Sequence, residues 1–428
     1  MMDTEIRDVR GRRVWDSRGR PTVEVEIRLA CDAIGRAIAP AGASTGSGEA
    51  VDLRDGDETF GGYDVRRALA GVNDEIDTAL TGADADDQAA VDAALIALDG
   101  TPNRSRLGGN ALVATSMAVA HAAAAAEGVP LWRRLGGVYA HTLPLPEIQI
   151  FGGGAHAGRR VDVQDFMIIA VGAKDYEETL DWTARVYLAA GRLMSDAGIL
   201  QGVADEGGFW PVFDTNEAAL DMLVRAIEAA GLVPGADVAI SLDIAASEFG
   251  ADGQYQLGLE GRGLDSDGLS EMLIGWLERY PIVSVEDPLG EDDEAGLIAF
   301  TKAAGDRVQV IGDDFLVTNA DRVRRGVEIG ACNAVLVKPN QAGTLTEARA
   351  AFDAATKAGW GAVVSARSGE TEDVTIVHLA VGWGAQQLKV GSFARSERMA
   401  KWNEGLRIAE AIGGHAALPS VRDFPWGR

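Results

Sequence analysis

The segments VSVEDP (283–288), VQVIGDDF (308–315) and NAVLVKPNQ (333–341) decide how this chain is read. Each begins as a short run of Val, Ile and Leu and ends in charge: Glu286 with Asp287, Asp313 with Asp314, and Lys338. Glu286, Asp313 and Lys338 follow one another at intervals of 27 and 25 residues, the length of one βα unit. Strands at that spacing, with helical segments between them, predict a parallel sheet or a (β/α) barrel. In a barrel the C-terminal strand ends open on one face, where catalytic groups collect. The pattern extends both ways. VAISLDIA ends its apolar run at Asp243, AVVSARSGETED turns polar from Ser365 to Ser368, and QQLKVGS carries Lys389.

The chain of 428 residues suits a barrel plus a smaller domain. Residues 1–136 read as an α+β domain and 137–428 as the barrel, with the two prolines of HTLPLPEI at the boundary. In the first domain, VWDSRGRPTVEVEIRLA alternates as a strand, with Val23, Val25 and Ile27 on one face, and AIGRAIAPA is its hairpin partner. GASTGSGEA follows as a Gly- and Ser-rich loop with Ser44 and Thr45 at its tip. Helices are expected at 64–80, 87–98 and 110–128. In the second domain, LPLPEIQIF and VQDFMIIAV read as strands, with helices at 176–196 and 216–230.

A net charge of −26 argues against nucleic acid or an anionic membrane as partner. The apolar stretch 111–126, interrupted by Thr115, Ser116 and His121, is not expected to span a membrane, and the first residues carry no apolar run that would serve as a signal. Two cysteines, Cys31 and Cys332, make no disulfide framework; both are expected to be small buried residues in a reduced cytoplasm.

Of 39 basic residues only six are lysine. Arginine cannot serve as a base, whereas lysine can once its pKa is lowered, so a lysine at a strand end points to chemistry. Asp243, Glu286 and Asp313 end three successive strands in this reading, and three carboxylates at one barrel mouth suit Mg²⁺. A cation there stabilises the enolate left when a proton is taken from beside a carboxylate, and it lowers the pKa of a neighbouring lysine. Lys338 is then the base. Glu206, in the polar loop GVADEGGFWP, is the acid for a leaving group. Lys389 and Arg367 remain to hold a carboxylate and a phosphate.

At these residues the chain resembles the enolase family, nearly end to end. The motifs include DSRGRPTVEV, GASTGSGEAVDLRDGD, LGGNALVATSMAVAHA, ADEGGF, SLDIAASEF, YPIVSVEDP, LVKPNQAGTLTE, SARSGETED and LKVGSFARSERMAKWNE. The resemblance implies an N-terminal α+β domain, a modified (β/α)₈ barrel, pairing as a dimer or higher homo-oligomer, and a phosphorylated carboxylate as the small-molecule substrate. It places Asp243, Glu286 and Asp313 on a first Mg²⁺ and Ser44 on a second that arrives with substrate. It gives Lys338 and Glu206 the base and acid roles and puts Lys389, Arg367, Ser368, His156, Asp165 and Gln164 around the substrate. The chain departs from the family where SARSGETED puts Ala366 in place of a histidine and VQDF puts Asp165 in place of a glutamate. Gly152 replaces an asparagine, and Trp210 a small residue. Three readings follow: an enolase, an enolase paralogue of phosphonate biosynthesis such as a carboxyphosphonoenolpyruvate synthase, and a non-catalytic protein on the same scaffold.

Overall fold

The computed structural model describes residues 3–43 and 45–427. Strands β1 (Ile6–Trp15), β2 (Pro21–Leu29) and β3 (Ile34–Ile38) form an antiparallel meander. The strand expected through DSRG breaks there. The Asp16 carboxylate accepts from the backbone N–H of Arg18 (2.9 Å) and Arg20 (2.8 Å), and this turn separates β1 from β2. The Ala-rich helix Gly109–Glu127 lies on β2 and β3. Gly35 permits the close approach, since a Cβ there would overlap the helix backbone at Ala118 and Ala122. Among the described residues this is the one helix long and apolar enough to cross a membrane, a test the sequence reading had it fail; 89% of the window concerned is buried inside the fold. It is a core helix, its small side chains trading bulk for close packing.

Strands β4 (Leu145–Gly152), β5 (Asp165–Ile169) and β6 (Ala239–Asp243) begin the barrel. A small sheet follows, of β7 (Gly250–Ala251), β8 (Gln254–Leu257) and β9 (Arg262–Asp265), which the sequence reading did not anticipate. Strands β10 (Ile282–Glu286), β11 (Gln309–Gly312), β12 (Ala334–Val337), β13 (Gly361–Ser365) and β14 (Gln387–Ser392) complete the closed barrel. All neighbours pair in parallel except β5, which runs antiparallel to both β4 and β6. The connection from β4 to β5 is too short for a crossover helix, so β5 returns beside β4 as in a hairpin. Helices Tyr176–Asp196 and Asn216–Ala229 then lead to β6. Their starts are set by side chains that cap free N–H groups: Asp175 accepts from Glu178 and Thr215 from Ala218. The strands are buried on both faces, which is why they read as unbroken apolar runs.

One apolar cluster joins the helix Gly109–Glu127 to barrel residues such as Val335, Val364 and Val377. Within that contact His121 and His378 meet edge to face, 5.9 Å between centroids. His121 Nε2 bonds Thr375 Oγ1 at 2.9 Å, and His378 Nε2 lies 3.4 Å from Glu404. Burial, and then the neighbouring His121, lower the His378 pKa from 6.5 to about 4. The unfolded chain therefore binds the extra proton between those values, and stability falls as pH drops from 7 toward 4. His378→Gln is expected to remove about 2 kcal/mol of the loss between pH 7.5 and 5. Urea unfolding at the two pH values measures it; an unchanged difference would discard this source. His141 and His415 are exposed. Cys332 is buried as expected, while Cys31 is only half-buried, on the turn after β2.

Candidate active site

The C-terminal strand ends gather the predicted residues into one cavity. Its walls include His156, Gln164, Asp165, Glu206, Asp243 and Lys338, together with Ala366, Arg367, Ser368 and Lys389. Lys389 sits at the centre of the carboxylates. Its Nζ lies 2.7 Å from Glu286 Oε2, 2.8 Å from Asp243 Oδ2 and 3.5 Å from Asp165 Oδ2. Burial alone would lower its pKa; Asp243 and Glu286 outweigh that and hold it well above the ordinary lysine range. Gln164 Nε2 donates to Asp243 Oδ2 at 3.1 Å.

Asp313 is placed separately, in hydrogen-bond contact with Lys338 Nζ and accepting from Gln341 Nε2 at 2.9 Å. The side chain of Asp287 faces this strand end, accepting the backbone N–H of Asp313 (2.8 Å) and Asp314 (2.9 Å). Asp287 itself has a left-handed backbone, φ +41°, which an aspartate tolerates better than most residues. Burial, followed by the charge of Asp313, pushes Asp287 up to about 8 and Asp314 up to about 9.

Without a cation the Lys338 pKa is raised, whereas the sequence reading expects a bound cation to lower it. Burial does act in that direction, but the carboxylate of Asp313 outweighs it and keeps the ammonium protonated. A lowered value requires positive charge on the Asp313 side.

Arg367 forms a two-pronged ion pair with Glu49, at 2.9 and 3.1 Å, and donates to Asn340 Oδ1 at 3.0 Å. Ser368 lines the cavity beside it. Glu49, Asn340 and Gln341 were not singled out from sequence. Glu49 stands in the same GASTGSGEA loop, and Asn340 and Gln341 complete the KPNQ motif, so proximity to the motifs was the available signal. Ser44 lies outside the described residues.

On the opposite wall His156 Nε2 is 3.8 Å from Asp165 Oδ1 and 3.9 Å from Glu206 Oε1. Burial raises Asp165 to about 6 against the pull of His156 and Lys389. Burial also acts to raise Glu206, but His156 and Arg398 overcome it and hold Glu206 below the ordinary range. Asp165 is thus the more readily protonated of the two, although sequence gave the acid role to Glu206. Ala366 lines the cavity with its methyl group.

The residues present fit a divalent cation. Burial and the charge of Asp243 push Glu286 well above the carboxylate range, because one ammonium cannot neutralise both acids. Glu286 Oε1 is buried without a hydrogen-bond partner among the described residues. Among the described residues, ligand atoms of Asp287, Asp313 and Asp314, and separately of His156, Asp165 and Glu206, lie within 4.8 Å of one another. The all-carboxylate group of Asp287, Asp313 and Asp314 suits a hard cation, while the other group adds an imidazole nitrogen.

A lysine-and-carboxylate cavity at the mouth of a barrel with one reversed strand, beside an N-terminal α+β domain, defines an enolase-type lyase. Residues 6–135 match the family "Enolase, N-terminal domain", and residues 140–422 match "Enolase, C-terminal TIM barrel domain". The chain is 50% identical to Enolase 1 of Desulfitobacterium hafniense (strain Y51) over 423 residues, 98% of this chain and 97% of the relative. The chain belongs to the enolase family.

Proposed function

We propose that this protein removes the proton α to the carboxylate of 2-phosphoglycerate and expels the C3 hydroxyl, giving phosphoenolpyruvate and water. The observation that carries the reading is the pairing of Lys338 with Asp313 on one side of the cavity and the His156–Asp165–Glu206 group on the other. Base and acid thus face a common space.

Lys338 Nζ takes the C2 proton, and the electron pair left behind delocalises into the carboxylate. The pair returns to form the C2–C3 double bond as the C3–O bond breaks. The His156–Asp165–Glu206 group delivers a proton through Glu206, with Asp165 as the member that carries it, so that the hydroxyl departs as water. Lys389 orients the substrate carboxylate. Arg367 and Ser368 hold the phosphate, Arg367 exchanging its Glu49 partner for it. Asp243, Glu286 and Asp313 would hold one Mg²⁺, and Ser44 would help hold a second that arrives with substrate. When bound, the cations supply the positive charge that stabilises the enolate and lowers the Lys338 pKa. The division into 1–136 and 137–428, pairing as a dimer and a cytoplasmic location complete the proposal.

A second reading is favoured by Ala366 and Asp165. Both are small for their positions and leave room for a bulkier, phosphorus-containing co-substrate, as in phosphonate biosynthesis. Ultraviolet detection of phosphoenolpyruvate separates the two. With millimolar Mg²⁺ the first reading expects turnover in the usual range of about 1–10³ s⁻¹. A trace in the native chain that rises in Ala366→His would overturn it in favour of the second.

A further inference from the structure

We propose that Gln149, a residue of β4 fully enclosed beneath the cavity, is a positioning residue that ties the shortened Asp165 to the loop carrying Glu206. The carboxamide uses both its ends. Nε2 donates to Asp165 Oδ1, and Oε1 accepts from the backbone N–H of Gly208 at 2.8 Å. Gln149 is 0% exposed and Asp165 1%, so both side chains are shut off from bulk solvent and an unmet hydrogen bond there is costly. The loop itself is laced to β4 by Phe209 N–H to Ile150 O at 2.8 Å, and Glu206 O accepts from Ser392 N–H of β14 at 3.0 Å. Gln149 thus joins this frame to the Asp165 carboxylate through two hydrogen bonds.

The neighbouring small residues are shaped to it. A Cβ at Gly152 would stand 2.7 Å from Ala204 Cβ and 3.2 Å from both terminal atoms of Gln149. A Cβ at Gly208 would collide with Gln149 Oε1. The departures at 152 and 165 are therefore one coupled change. Gly152 makes room for the carboxamide, and the carboxamide occupies the length that a glutamate at 165 would need. Asp165 is held against the barrel wall between Gln149, Lys389 and His156, instead of reaching into the cavity. Restoring Asp165→Glu alone would drive its longer side chain into Gln149.

The test has two arms, and only the kinetic one rests on the lyase reading. Gln149→Met keeps the volume and removes both hydrogen bonds. It is expected to lower kcat by about 30–100-fold with KM changed less than about threefold, since a misplacement near 1 Å costs about 100-fold. A purely structural Gln149 would lower the unfolding midpoint and leave kcat of the folded protein within about twofold, which would overturn the proposal. The second arm is a polarity swap read by thermal unfolding. Gln149→Glu and Asp165→Asn are each expected to lower the midpoint. Together they restore a donor facing an acceptor, with the Gly208 bond intact, and the pair recovers at least half of the combined loss. Additive losses would show that the two side chains are not coupled. A native chain without turnover would overturn the lyase reading and leave the unfolding cycle to judge Gln149.

Discussion

Lys338→Ala is expected to abolish turnover while the protein still gains thermal stability from Mg²⁺. The lysine is nearly fully enclosed, and Asp313 is its closest partner. General acid–base groups contribute about 10²–10⁴-fold, and among the described residues lining the cavity the one other amine is that of Lys389. Lys389 cannot take over, because Asp243, Glu286 and Asp165 engage it. Asp313 keeps its Gln341 donor in the variant, and losing the competing ammonium leaves the carboxylate freer to bind a cation. Turnover within tenfold of the native chain would remove Lys338 as the base. Lost Mg²⁺ stabilisation would show that the change had damaged the carboxylates instead.

The second large effect is on stability. Lys389→Met takes the single ammonium away from Asp165, Asp243 and Glu286, all 1–2% exposed. Removing one partner of a buried ion pair costs on the order of 3–5 kcal/mol, because the charge left behind has no compensation. The pH dependence follows from the sign. Without Lys389 the three carboxyls have raised pKa values in the folded state, so folding favours their protonated forms. That contribution is fully present below the unfolded carboxylate pKa, near 4, and is lost as pH rises through the folded values. The deficit in unfolding midpoint is therefore expected to be larger at pH 8 than at pH 5. Millimolar Mg²⁺ should recover more of it than it adds to the native chain. A variant equally stable at both pH values, with or without Mg²⁺, would contradict the assignment of Lys389 as the counter-ion of this group.

The strand ends were legible because each barrel strand is buried on both faces and then meets the cavity. That puts the change from apolar to charged at Asp243, Glu286, Asp313 and Lys338. The direction of β5 was not legible from its residues, since FMII reads the same whichever way it runs. The brevity of the 153–164 connection was the available sign. The first strand escaped notice because the charged Arg7, Asp8, Arg10, Arg12 and Arg13 outnumber its few buried positions, Ile6 and Val9. Glu49 escaped because its contact with Arg367 joins residues 318 apart in the chain. Gln149 carried a readable signal, an amide inside the apolar run LPEIQIF. Buried polar side chains in such runs need partners, and here the partners are the acid loop and Asp165.

The most direct test of the central claim is hydrogen exchange at C2 of 2-phosphoglycerate. The native protein, substrate and millimolar Mg²⁺ are incubated in D₂O, and the recovered substrate is followed by proton NMR, beside Lys338→Ala. Loss of the C2 proton signal with the native chain, and its retention with the variant, is the predicted result. Exchange that proceeds equally in both, or a C2 proton that the native chain leaves untouched, would contradict proton abstraction by Lys338.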